Sequence, residues 1–145
     1  MPADAHQEDL AARLRRAGIR PTRQRLDILA ELALEPHDAT AQLLYQRLRG
    51  RGGRVGLATV YRTLGALARH GVVDALNHRA GEACYRLCSD EHHHHLVCSE
   101  CHCVVELADC DVDGWVDRVT AAAGFTPTSH HLEVIGVCGD CRAEQ

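Results

Sequence analysis

Apolar residues recur at helical spacing through the first half of the chain, over residues 8–16, 22–34, 39–49 and 57–70. Helix breakers fall between these stretches: Gly18 and Pro21, then Pro36, then Gly50 with Gly52 and Gly53. Gly71 stands where a C-terminal glycine would close the fourth helix. After it the period shortens. Residues 72–76 and 83–87, separated by the turn-like Asn77-His78-Arg79-Ala80-Gly81, read as a hairpin of two short strands. Helices followed by such a hairpin are the plan of a winged helix-turn-helix.

Beyond the polar stretch at 88–91 the pattern is mixed. Residues 92–98 and 104–107 read as strands, 111–123 as a helix ended by Gly124, and 131–137 as a final strand. The predicted fold class is therefore α+β: a winged helix-turn-helix domain over residues 1–87, then a small α/β domain over 88–145.

Composition bears on how two such small lobes could be stable. Among 145 residues only 3% are aromatic, with one Trp and one Phe, so the cores rest on Leu, Val, Ala and Ile. Lobes of this size gain little from burial alone, and a bound metal or a partner chain is expected to help. The net charge of −4 conceals an asymmetry. Residues 1–79 carry 13 Arg against 8 acids, and residues 80–145 carry 3 Arg against 12. A basic lobe suited to phosphate precedes an acidic lobe suited to cations.

No stretch approaches the roughly 20 apolar residues of a membrane span, and the polar start is unlike a secretory signal. A cytoplasmic protein is expected. In that setting 8 Cys and 11 His point to metal ligation before disulfides.

On a helical wheel of residues 57–69, Leu57, Val60, Leu64 and Leu67 form one stripe, with Ala58, Arg62, Gly65, Ala66 and Arg69 opposite. Small side chains let a helix backbone approach closely, and Arg reaches guanine edges or phosphates, so this face suits a major groove. Thr59, Tyr61, Arg62 and Arg69 are the candidate DNA contacts here. Arg23 and Arg25, at the start of the second helix beside Thr22, could hold a phosphate together with backbone amides. The plain alternative is a solvated helix face with chance arginines.

Cys98-Ser99-Glu100-Cys101 and Cys138-Gly139-Asp140-Cys141 are two C-x-x-C pairs, the spacing at which two thiolates share one tetrahedral ion. Together Cys98, Cys101, Cys138 and Cys141 make a complete structural zinc site. Each pair ends a predicted strand, and neighbouring strands would bring them together. Such a closed site leaves no open position for catalysis, and there is no H-E-x-x-H. An enzyme is not expected, and neither is a small-molecule substrate.

His92-His93-His94-His95 begins a predicted strand, whose side chains alternate between faces, so His92 and His94 point one way and His93 and His95 the other. One tetrapeptide can seed two metal sites. Asp74, Cys88, Asp113, His130, His131 and Glu133 are the candidates to complete them.

Three features together, covering nearly the whole chain, resemble the ferric uptake regulator family. They are Gly-Leu-Ala-Thr-Val-Tyr-Arg-Thr-Leu at 56–64, the histidine cluster before the first C-x-x-C, and the second C-x-x-C near the end. The resemblance implies an N-terminal winged helix and a C-terminal α+β dimerisation lobe. It also implies a homodimer whose metal-loaded form grips a palindromic, double-stranded operator. Within the family the zinc branch is most similar: Cys88 stands where iron members carry a carboxylate, and His94 where they carry Asp.

That branch implies a regulatory Zn2+ site at the hinge made by Asp74, Cys88, His93 and His95, and a second made by His92, His94, Asp113 and His130. Two or three Zn2+ per subunit follow, with zinc as corepressor and zinc uptake genes as the targets the resemblance implies. An iron-, manganese-, nickel- or peroxide-sensing regulator of the same family is the alternative. Thiolate with imidazole favours zinc over ions that prefer octahedral oxygen donors. Cys84, Cys103 and Cys110 receive no role and can serve as small buried hydrophobes.

Overall fold

The computed structural model describes residues 2–87 and 89–144. The chain divides into two compact units, Met1–Asp90 and Glu91–Gln145.

Four helices of the first unit follow the apolar stripes: α1 (Pro2–Arg16), α2 (Arg23–Ala33), α3 (Ala41–Gly50) and α4 (Leu57–Arg69). Their shared core is aliphatic. Leu10, Leu14, Ile28, Leu29, Leu32, Leu44, Leu64 and Leu67 are all essentially inaccessible, and each such side chain stabilises by about 1.5 to 3 kcal/mol relative to exposure. Thr22 caps α2 by accepting from the Arg25 amide at 3.3 Å, and Thr40 caps α3 by accepting from the Leu43 amide at 3.1 Å. Gly71 closes α4 as expected: its φ of 71° is left-handed, and the Val72 amide turns back to the Leu67 carbonyl at 2.9 Å.

α1 begins at Pro2, six residues ahead of the expected start at residue 8, and two further boundaries of this unit differ from expectation. Residues 39–40 were expected to begin the third helix. Instead they form β1 (Ala39–Thr40), paired with the hairpin, and the helix starts only after the Thr40 cap. The hairpin itself is displaced along the chain. Its strands are β2 (Asp74–Arg79) and β3 (Glu82–Arg86), so Val72 and Val73 are core residues ahead of the strand and the turn shrinks to Ala80-Gly81. Asn77 to Arg79, read as turn because of their polarity, continue the strand: Arg79 pairs with Glu82 of β3, and Asn77 and His78 fill the register shift between Leu76 and Arg79. The sheet order is β1-β3-β2, with both pairings antiparallel.

The second unit contains β4 (His94–Cys98), β5 (Val104–Leu107), α5 (Asp113–Ala122), β6 (Glu133–Gly136) and α6 (Gly139–Ala143). Its sheet runs β5-β4-β6, with β5 antiparallel and β6 parallel to β4. The parallel pairing needs a crossover, and the segment carrying α5 supplies it. The short α6 was not foreseen. Only Val97, Cys98 and Val104 form an apolar interior here among the described residues, and no residue of α5 is buried. No described helix is long and apolar enough to cross a membrane.

Candidate metal centres and nucleic-acid interface

Register explains how distant cysteines meet. Cys98, the last residue of β4, pairs with Gly136 of the parallel β6, so Cys138 arrives two residues later beside it. Cys101 sits in the turn between β4 and β5, where His102 takes a left-handed φ of 60° and its amide donates to the Cys98 carbonyl at 3.0 Å. Cys138 caps α6, which carries Cys141. The Cys101 and Cys138 sulfurs are 3.8 Å apart. That matches the roughly 3.8 Å edge of a tetrahedron with zinc–sulfur bonds of about 2.3 Å.

The protonation pattern also suits a metal. Amides of Cys138, Cys101 and Glu100 donate toward the Cys98 sulfur, the Cys138 one at 3.3 Å, and lower that thiol from 9.0 to about 6. Cys138 is lowered likewise, first by the Cys141 amide. Cys141 is raised because its thiol donates to Cys138 and Cys101. Cys103 is raised to about 12, chiefly by its hydrogen bond to Cys101. Backbone dipoles thus shift both the Cys98 and Cys138 thiols toward the thiolate form that binds metal. The four sulfurs that lie within 4.8 Å of one another are those of Cys98, Cys101, Cys138 and Cys103, so Cys103 stands in the set where Cys141 was expected, while the Cys141 thiol reaches Cys138 and Cys101 by hydrogen bonds.

The strand expected from residue 92 begins only at His94, so alternation within β4 separates His94 from His95, and His92 and His93, which precede the strand, side with His94 and His95 respectively. The rings of His92 and His94 meet edge to face with centroids 4.7 Å apart, and those of His93 and His95 do so at 4.9 Å. On the first face, His92 Nε2 lies 3.2 Å from His94 Nε2, His94 Nε2 lies 3.0 Å from Cys110 Sγ, and Cys110 Sγ lies 3.3 Å from His130 Nε2. These four atoms lie within 4.8 Å of one another, and the three close distances are those of neighbouring ligands around one ion. Asp113, at the start of α5, places Oδ1 3.6 Å from His130 Nε2. Burial, followed by the neighbouring His92 and His130, lowers the His94 pKa and keeps the ring neutral, the form that binds metal.

Cys110 was missed as a candidate. It follows β5 by three residues, and only the pairing of His94 with Leu107 at the end of that strand brings it across. An isolated Cys three residues after a strand carries no spacing signal.

On the other face, His93 Nδ1 is 3.5 Å from Glu106 Oε1, a carboxylate that sequence reading did not select. Asp74 opens β2 in the first unit, while His93 and His95 belong to the second. Cys88 lies outside the described residues.

In the first unit, Val60, Leu64 and Leu67 of α4 are buried, and Ala58, Tyr61, Arg62 and Arg69 are exposed. A cleft between this face and the start of α2 is lined by Thr22, Arg23, Arg25, Thr59, Arg62 and Ala66, among others. Arg62 reaches the Thr59 hydroxyl at 3.4 Å, and Arg25 donates to the Arg20 carbonyl at 2.7 Å. Arg23 is 92% exposed and only loosely paired with Asp27, at 3.8 Å. Arg69 lies outside the cleft lining, one turn beyond Gly65 on the same helix. Backbone amides at a helix start, the three guanidinium groups of Arg23, Arg25 and Arg62, and a small-residue helix face together suit an anionic duplex.

Residues 16–135 match the ferric uptake regulator family. The chain is 46% identical over 127 residues to the zinc uptake regulation protein of Mycobacterium tuberculosis, spanning 88% of this chain and 98% of that protein. It is 38% identical over 136 residues to the ferric uptake regulation protein of Escherichia coli, spanning 91% of each. Among solved structures, holo XcZur is similar with a TM-score of 0.72 at 29% identity, over 94% of this chain and 99% of that one. The Pseudomonas aeruginosa ferric uptake regulator with manganese gives 0.65 at 30% identity, over 88% and 96%.

Proposed function

Because the chain belongs to the ferric uptake regulator family, we propose that it is a zinc-responsive transcriptional repressor, a regulator and not an enzyme. The observation that carries this reading is the donor chemistry of the second unit. One cluster is made of cysteine sulfurs and another of imidazoles with a thiol, and such donors favour zinc over ions that prefer oxygen. The likeness to the M. tuberculosis zinc uptake regulation protein points the same way.

In this reading Cys98, Cys101, Cys138 and Cys141 hold a structural ion that stabilises a unit with little apolar interior of its own. His92, His94 and His130, with Asp113 or Cys110, hold a second ion. Asp74, Cys88, His93 and His95 form the hinge site. Because Asp74 belongs to the first unit and the histidines to the second, an ion held by all of them couples the two. Operator affinity then rises by the ion's preference for the DNA-competent arrangement.

The partners are a palindromic DNA operator and a second copy of the chain. Support for the second copy comes from apolar residues left on the surface of the second unit: Phe125 is 71% exposed, Trp115 57%, Ile135 54% and Val105 51%. An apolar surface of this kind is what a homodimer interface covers. The α4 face and the cleft beside α2 support the DNA role.

The test is an operator shift titrated with Zn2+, Fe2+, Mn2+ and Ni2+ at buffered free-metal levels. Zinc is expected to drive binding at a far lower free concentration than the others. A lower requirement for iron, manganese or nickel would move the chain to another branch. Cys88→Ser is expected to weaken zinc-dependent binding while the structural ion stays bound; unchanged repression at high zinc overturns the hinge assignment.

A further inference from the structure

We propose that Asp38, His78 and Cys84 form an additional metal site inside the first unit, one that takes a zinc-like divalent ion. The three residues come from three neighbouring segments. Asp38 immediately precedes β1, His78 belongs to β2 and Cys84 to β3. Cys84 sits in the central strand of the sheet, paired with Thr40 on one side and Leu76 on the other. His78 lies in the stretch where the β2 register shifts, between Leu76 and Arg79.

The ligand atoms of the three residues lie within 4.8 Å of one another. All are removed from solvent: Cys84 is 0% exposed, and the Asp38 and His78 side chains 1% each. His78 Nε2 contacts an Asp38 carboxylate oxygen directly.

Charge decides which ligand fits. A buried carboxylate is costly unless its charge is balanced nearby. One carboxylate, one thiolate and one neutral imidazole together balance a single divalent cation, so the complex can be buried with no net charge. A thiolate and an imidazole in one set favour zinc or cobalt over magnesium or calcium, and three protein ligands leave a fourth position free. Without an ion the Cys84 thiol keeps its proton. Burial first, and the Asp38 carboxylate second, raise it to about 11, so metal uptake must release that proton. None of these residues belongs to the donor sets of the second unit, and the site does not depend on the zinc-responsive reading above.

The location gives the site a structural consequence. Asp38 stands two residues before Thr40, the cap of α3, while His78 and Cys84 belong to the hairpin. An ion held by all three ties the hairpin to the entry of the helix-turn-helix and stiffens the element flanking α4.

The full-length protein is dialysed against Zn2+ and, separately, Co2+, and metal per chain is measured by mass spectrometry for wild type, Cys84→Ala and His78→Asn. Each variant is expected to hold one ion fewer than wild type, and the cobalt-loaded Cys84→Ala to lose part of the thiolate charge-transfer absorption. Equal stoichiometry in a folded Cys84→Ala overturns the proposal. Where a variant does not fold, the wild type decides alone: an anomalous difference map at the zinc edge should show a peak about 2.0 to 2.3 Å from the three ligand atoms. A map without that peak, with Asp38 and His78 in direct contact, overturns it as well. Neither result bears on which metal drives operator binding.

Discussion

His94 Nε2 and Cys110 Sγ stand 3.0 Å apart although 16 residues separate them in the chain. The contact places a thiol among imidazoles, where sequence reading looked to the carboxylate of Asp113. Sulfur there would both tighten the hold on zinc and expose it to oxidation.

The first prediction concerns that choice. Cys110→Ala should weaken zinc binding at the His92, His94 and His130 cluster by about tenfold or more, and by more than Asp113→Ala does. Competition titrations against a chelator measure both. The opposite ranking would return the fourth ligand to Asp113.

The four-cysteine site should be a folding element. Cys138→Ser and Cys141→Ser are expected to lose one ion and to melt the second unit at lower temperature, with the helical first unit less affected. Cys103→Ser should keep its ion if the C-x-x-C thiol of Cys141 supplies the fourth ligand, although it is Cys103 whose sulfur lies within 4.8 Å of those of Cys98, Cys101 and Cys138. Calorimetry with metal analysis checks the ranking, and loss of the ion in Cys103→Ser would make that thiol a ligand.

Arg62→Ala should cost about 1 to 3 kcal/mol of specific operator binding if the guanidinium reads a base. Binding to a panel of single-base operator variants supplies the check. An equal loss across all sequences would make Arg62 a phosphate contact.

Metal-free protein should lose stability in alkali through Cys84. Its thiol is raised from 9.0 to about 11 in the fold, so between those values the unfolded chain gives up a proton that the native state keeps. The contribution is intact below pH 9.0 and falls as pH rises toward 11, by up to about 2 kcal/mol. Denaturant unfolding from pH 8 to 11 measures it, with metal-free Cys84→Ala as the control whose slope should be shallower, since Cys103 and Cys141 are raised as well. Parallel slopes in the two proteins would exclude Cys84 as the source.

Much of the first unit was legible because periodicity and breakers act locally. The stripe at Val60, Leu64 and Leu67 and the glycine at 71 need no distant partner to be read. Residues 39–40 and 77–79 were misjudged for the opposite reason. Their strand character comes from pairing with β3, whose offer of hydrogen bonds is invisible in their own composition.

The ligand types were likewise written in the chain. Two C-x-x-C spacings and four consecutive histidines announce metal chemistry, and strand alternation divides His94 from His95 at the start of β4. Tertiary structure decided which groups join them. The parallel register of β4 with β6 delivers Cys138 to Cys98, the end of β5 delivers Cys110 to His94, and the β2 irregularity accompanies the burial of His78 beside Asp38 and Cys84. Spacing encodes donors that share a turn. Donors that meet only across a sheet are set by register, which depends on how whole strands pack, and no single stretch of sequence carries that information.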